Sequence, residues 1–268
     1  MTTAPADGDS PHRVQDIYGA AAARASATAA VHPLAAQMYE QRNLPGAGAA
    51  SLGCADSAAR ACLQLGQTVL DLGCGAGLAV LLAARQVGLA GRVIGVDVTL
   101  EMIALARRHA ADTAVANVEF RLGTIEDLPV EDGSVDVVIS NCVASLSPVK
   151  DRLLAEALRV LVPGGRVAVA DLALLAPLPA SVQEQLATWG GIVGLLTVQA
   201  CRAAVRVLRR FGPADIAMAE GTPLGGGCLT GISETDLHAA EGVVASAHVT
   251  ATRPAASTAP AAQRAARE

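Results

Sequence analysis

Aromatic residues are almost missing from this chain: two phenylalanines, two tyrosines and one tryptophan make up 2% of its 268 residues. The hydrophobic fraction is nevertheless 52%, so a large core has to be built from Ala, Val, Leu and Ile. The length fits one full domain with appendages. Positive charge is not in excess either: 20 Lys and Arg stand against 25 Asp and Glu, a net charge of -5. That balance argues against nucleic acid or an anionic membrane as the main partner. No apolar run approaches the ~20 residues of a membrane span. The opening MTTAPADGDSPHR has no charged-then-apolar signal pattern, so a cytoplasmic location is expected. No CxxC pair occurs among the six cysteines, at 54, 62, 74, 142, 201 and 228. In a reducing compartment such scattered cysteines are mostly single packed thiols. The histidines, including His109 and His238, show no metal-ligand spacing and read as surface residues. There are no internal repeats.

What is present is a regular alternation. Apolar runs TVLDLG, RVIGVDV, VEFRLG, VDVVIS and RVAVADL read as strands, and LAVLLAARQVG, LEMIALARRHAADT and DRLLAEALRVL between them read as helices. Strands alternating with helices predict a mainly parallel sheet covered on both faces, over about residues 65–175. Before it, residues 1–12 are expected to be disordered, and 13–64 to form a helical segment beginning VQDIYG. Beyond Asp171 the regularity fails: TVQACRAAVRVLRRFG reads as a helix, TPLGGGCLTG as a glycine-rich patch, SETDLHAAEG as a short helix and ASAHVTATRP as a strand. The tail from 255 to 268 is again expected to be disordered.

The first chemical signal is LDLGCGAG, where Gly73, Gly75 and Gly77 form a GxGxG turn between strand and helix. Glycines there let a backbone turn tightly and approach a ligand closely. Asp97 ends the next strand, in VIGVDVT, where a carboxylate can accept from both hydroxyls of a ribose. The dinucleotide fingerprint GxGxxG is not satisfied, because position 78 is Leu. Asp71, Asp97, Met102, the run TIEDLP and the turn VLVPGGRVAV together resemble the class I S-adenosylmethionine-dependent methyltransferases. The resemblance implies a Rossmann-like α/β sheet with helices on both faces, a C-terminal substrate-binding extension, and S-adenosylmethionine as cofactor. It also implies that Asp71, Gly73, Cys74, Gly75 and Gly77 hold the methionine moiety and Asp97 the ribose. Val98 and Met102 would flank the adenine, with Ile125 and Glu126 at its other edge and Asn141 a further contact. Many relatives carry Asp or Glu where this chain has Thr124.

A narrower resemblance rests on SNCVASLSPVK, residues 140–150, preceded by NVEFRLGTIEDLPVEDGSVDVVI. It is similar to the bacterial arsenite methyltransferases, whose S-N-C-V-x-N-L-S-P-x-K has Asn where this chain has Ser145. That family binds trivalent arsenic, a soft centre that prefers thiolates, through cysteines. By resemblance Cys142 is one thiol, and Cys54, in ASLGCADSAA, a second. Cys228 is the third, in GCLTGISETDLHAAEGVVASAHVTATRP, displaced by an insertion at about 191–226 so that Gly191 falls where the cysteine is usual. Cys54, Cys142 and Cys228 would thus be both the substrate ligands and the catalytic set, with no resident metal. Cys62, Cys74 and Cys201 read as packing residues. The resemblance implies methylation of arsenite by a monomer, with thioredoxin or glutathione as reductant. Two alternatives stay open: a methyltransferase for a small carbon, oxygen or nitrogen acceptor, and a non-catalytic thiol-based arsenic-binding protein.

Overall fold

A computed structural model of the protein describes residues 15–16, 18–20, 22–23, 57, 61–144, 146–147, 149–177, 196–197, 216–223 and 243–255. Among them the chain runs β1 (Thr68–Leu72), α1 (Leu78–Val87), β2 (Arg92–Asp97), α2 (Leu100–Asp112), β3 (Val118–Leu122), β4 (Val135–Asn141) and α3 (Lys150–Val160). It continues through β5 (Leu161–Leu174), β6 (Leu196–Thr197), β7 (Ile216–Pro223) and β8 (Val244–Thr252). All strands join one sheet in the order β3-β2-β1-β4-β5-β8-β7, with β6 paired to β5.

The β3-β2-β1-β4-β5 block is parallel throughout. Its strands are almost continuously apolar because both faces are covered. Strand pleating sends successive side chains to opposite faces, and the two cores follow that alternation. Val69, Val93, Val137 and Ile139 pack with Leu81, Ala84 and Val87 of α1 and with Ile103 and Ala106 of α2. Leu70, Leu72, Ile94, Val96 and Val138 pack instead with Leu153, Leu154, Ala157 and Leu158 of α3. Small side chains on α1 let it sit close to the sheet, which compensates for the scarcity of aromatics; Phe120 is the one described aromatic in that core.

Over residues 68–174 the helix and strand readings of the sequence match these elements to within a residue or two, except that β5 begins five residues before RVAVADL, at the very end of α3. The helical readings of TVQACRAAVRVLRRFG, save Thr197 in β6, and of SETDLHAAEG lie outside the described residues. The helical reading of VQDIYG holds at residues 15–16, 18–20 and 22–23. The sheet does not stop near 175, however. Strand β8 pairs antiparallel with β5 from Arg166↔Thr252 to Leu174↔Val244, and β7 pairs antiparallel with β8. The segment 191–226, expected to be an insertion looping away, therefore contributes Ile216–Pro223 as the sheet's edge strand. Its sequence IAMAEGTP is too rich in small residues to show a strand alternation.

From β1 the chain moves outward to β2 and β3, then crosses back to place β4 on the other side of β1. In open α/β sheets ligands bind beyond the strands' C-terminal ends at such a reversal. The ends that meet there are Leu72, Asp97 and Asn141.

Candidate functional site

The turn after β1 is held by strand β2: the Gly73 and Cys74 N–H groups both donate to the Val96 carbonyl, at 2.8 and 3.0 Å. Gly73 has φ 67, a left-handed conformation. A Cβ there would lie 2.4 Å from a Val143 methyl carbon, so only glycine fits. This contact places Val143 directly on the glycine turn, and with it the loop that begins at Cys142. Cys142 is half-buried, has φ 53, and donates its N–H to the Ala170 carbonyl at 2.9 Å. A left-handed non-glycine residue is uncommon and marks a backbone held by its surroundings.

Asp97 closes β2 and is 8% exposed. Its Oδ2 accepts from the Gly75 N–H at 2.8 Å and its Oδ1 from the Thr99 N–H at 2.9 Å. Burial pushes its carboxyl upward while those backbone N–H groups pull it down. Asp71 lies deeper, at 2% exposed, and is pushed well above the usual carboxylate range by burial and then by the Asp97 charge. Two buried carboxylates beside an uncapped helix N-terminus at Gly77 form a cradle that suits a ligand carrying both cationic and anionic groups. Among the described residues nothing lies within 4 Å of where a Gly75 Cβ would stand, so the turn is open there.

Several expected site residues have other neighbours. Cys74 is buried, its Sγ only 2.8 Å from where a Gly95 Cβ would stand, so its side chain belongs to the core and only its backbone faces the turn. Burial and then the charges of Asp97 and Asp71 push that thiol well up. Met102, at 1% exposed, packs with Ala22, Ala76 and Leu105, with Tyr18 against them. It is thus covered by the N-terminal helical segment, which is itself tied down by the Gln15 Nε2 donating to the Val98 carbonyl at 3.1 Å. Ile125 is half-buried against the α3-side core. Asn141 Oδ1 accepts the Ser57 N–H at 3.0 Å. Glu126 Oε1 accepts the Ser147 hydroxyl at 2.5 Å.

Two bland assignments are corrected. Cys62 is exposed in a turn with φ 48, not packed on a helical face. His109 is half-buried, its Nδ1 2.9 Å from the Ala76 carbonyl, where it props the glycine turn from α2. Among the described residues no three His, Cys, Asp or Glu side chains converge as metal ligands. Cys54, Cys201, Cys228, Ser145 and His238 lie outside the described residues. The contacts missed in sequence, those of Val143, Ser147, Ser57 and Gln15, involve ordinary residues; Val143 and Ser147 lie in SNCVASLSPVK and Ser57 in ASLGCADSAA, but none of them had been given a role.

The model of a methyltransferase domain matches residues 63–219. An arsenite methyltransferase of Halobacterium salinarum is 51% identical over 153 residues, 57% of this chain and 39% of that protein. Another, of Aquipseudomonas alcaligenes, is 48% identical over 114 residues, 40% of this chain and 33% of its own length. The chain thus aligns with only about a third to two fifths of these relatives. Among solved structures, an arsenic(III) S-adenosylmethionine methyltransferase from Chlamydomonas reinhardtii is 32% identical with a TM-score of 0.54, covering 72% of this chain and 65% of that one. A geranyl diphosphate methyltransferase at 21% identity and a TM-score of 0.58, over 71% of this chain and 72% of that one, shares the fold. With the family model covering more than half of its length, the chain belongs to the methyltransferase-domain family.

Proposed function

We propose that this protein methylates trivalent arsenic held on cysteine sulfur, using S-adenosylmethionine. The observation that carries the reading is the seat of Val143 on Gly73, which brings Cys142 to the lip of the glycine turn. The residues present fit the cofactor: an open turn at Gly75, an acidic pair at Asp71 and Asp97, and the N-terminus of α1. Asp97 would accept from the ribose hydroxyls and the Gly73–Gly77 backbone would take the methionine end, with Asp71 beneath it. When bound, the cofactor would supply an electrophilic sulfonium methyl group to which arsenic would donate its lone pair, with S-adenosylhomocysteine as the leaving group.

The chain's own task is then positioning. Arsenic brings its own lone pair, so no general base is required, and the strand ends need only hold the soft centre by sulfur and aim it. Orientation of this kind accounts for up to about 7–11 kcal/mol of barrier in ideal cases. Cys142 is the thiol of the described site; Cys54 and Cys228 complete the set by resemblance to the arsenite methyltransferases. Methylation formally oxidises arsenic, so a thiol reductant such as thioredoxin or glutathione has to return it to the trivalent state. We place the reaction in the cytoplasm.

The test is direct. Purified protein, arsenite, S-adenosylmethionine and thiol should yield methylated arsenicals on chromatographic separation. Arsenite consumed by binding with no cofactor affinity would favour a non-catalytic thiol protein. Cofactor affinity with no methylated arsenic would favour a small organic acceptor. Cys142→Ser should bind the cofactor normally and methylate no arsenic, because a hard hydroxyl cannot replace a thiolate for a soft centre. A Cys228→Ser enzyme should fail likewise, whereas Cys201→Ser should stay active.

A further inference from the structure

The loop that carries Cys142 is anchored at both ends. At its start the Cys142 N–H is fixed to β5, and the Leu146 N–H donates to the Val143 carbonyl at 2.9 Å, folding the loop back over the glycine turn. At its end stands Ser147, 3% exposed. Its hydroxyl donates to Glu126 Oε1 at 2.5 Å, and the same oxygen accepts the Val149 N–H at 3.3 Å. Lys150 Nζ donates to the Ser147 carbonyl at 2.8 Å, which holds the turn into α3.

Glu126 belongs to a different loop. That loop leaves β3 at Gly123, whose N–H donates to the Asp97 carbonyl at 3.0 Å. A partly buried hydroxyl-to-carboxylate bond therefore joins the segment expected along the cofactor's base to the segment carrying the substrate thiol. Hydroxyl-to-carboxylate bonds are characteristically short and strong. The partners are 21 positions apart in the sequence.

We propose that the Glu126–Ser147 pair couples the two halves of the site. Order in the loop beside the cofactor is passed to the placement of Cys142, so each ligand binds more tightly when the other is present. Ser147 is in this view a positioning residue, acting through the loop it holds and touching neither ligand. The inference rests on the arsenic reading above. Coupling between sites is reciprocal and is typically five- to 150-fold in affinity.

The experiment uses the full chain with two non-reacting probes, S-adenosylhomocysteine and phenylarsine oxide, titrated singly and together by calorimetry. Wild-type protein should bind S-adenosylhomocysteine about tenfold more tightly when saturated with phenylarsine oxide, and the converse ratio should be equal. Ser147→Ala should bind each probe alone within about threefold of wild type while the ratio falls to about one. Ser147→Thr, which keeps the hydroxyl, should restore it. Glu126→Gln provides a second route, lowering the ratio whatever it does to either affinity alone. A purely structural role would instead weaken both single affinities together and leave their ratio intact, which overturns the proposal. Binding of both probes to wild type without mutual effect overturns it as well. If wild type binds no phenylarsine oxide, the arsenic reading itself fails and this inference falls with it.

Discussion

Asp71 and Asp97 sit where the unliganded protein has least use for charge. Both carboxyls are raised by burial, Asp71 further by its neighbour. A carboxyl with a raised folded-state pKa contributes stability below its unfolded value, which is lost as pH rises through the folded value. The pair therefore favours the unliganded fold at mildly acidic pH and works against it near neutrality. Asp71→Asn should raise the neutral-pH melting temperature and flatten its decline as pH rises above the usual carboxylate range, by roughly 2–4 °C per kcal/mol relieved. A variant that melts lower at neutral pH would show that the charge is stabilised by something other than a ligand. A cationic cofactor bound there, as proposed, would offset the same penalty. Asp97→Ala, kept folded, should lose about ten- to a hundred-fold in S-adenosylmethionine affinity by calorimetry, as expected for a charged acceptor worth about 1.5–3 kcal/mol.

At the scale of elements, connections matter more than propensities. Helix α3 passes straight into β5, so its last carbonyls have no C-terminal turn to receive them. The Gly133 and Ser134 N–H groups donate to the Arg159 and Val160 carbonyls, and the Arg253 guanidinium shares the task, donating to the carbonyls of Leu158, Arg159 and Leu161. Arg253 itself lies just after β8, so a remote strand caps the helix. Arg253→Met should keep the aliphatic stem and lose about 1–3 kcal/mol of stability in urea titrations. An unchanged midpoint would mean that solvent caps the helix equally well. The β1–α1 turn makes a second case. Both Gly73 and Gly75 have positive φ, but only at Gly73 would a Cβ strike a neighbour, the Val143 side chain. Gly75→Ala should cost about the 1–2 kcal/mol of a left-handed alanine. Gly73→Ala should cost more and should also impair activity, since it lifts the Cys142 loop. Equal losses in melting temperature would contradict the contact.

For the whole molecule, β5 is the strand on which everything converges. It pairs with β4 on one side and with β8 on the other, and carries β6 at its C-terminal end. A chain ending before Val244 would leave β5 as an exposed edge and remove the α3 cap. Exposed apolar edges invite association, so this truncation should aggregate and show no cooperative melt. A soluble, cooperative product would mean that the parallel block folds alone. Binding supplies the complementary check. A ligand at a hundred times its dissociation constant stabilises the fold by about 2.7 kcal/mol, or roughly 5–10 °C here. S-adenosylhomocysteine should produce that shift in the wild-type chain and little in Asp97→Ala.

Local pattern alone determined the parallel block, the glycine turn and the carboxylate that ends β2. Each depends on residues within one strand, one helix or one turn, where side-chain period and glycine geometry act over a few positions. TVLDLG and LAVLLAARQVG show their structure by period, and LDLGCGAG by its spacing of glycines. Only the tertiary structure decided which segments meet. IAMAEGTP became an edge strand because β8 offered it a row of backbone partners, not because its side chains demanded extension. Cys62 became exposed because the chain turns there, and Cys74 faced inward because Gly95 left room for its sulfur. The Ser57 N–H reached Asn141 across 84 positions, and Ser147 reached Glu126 across 21. Contacts of that kind are set by how loops close over an already paired sheet, and their residues carry no local signature. The cysteine at the end of β4 stood out in the sequence; its place beside the cradle was settled by a valine methyl resting where a glycine has no side chain.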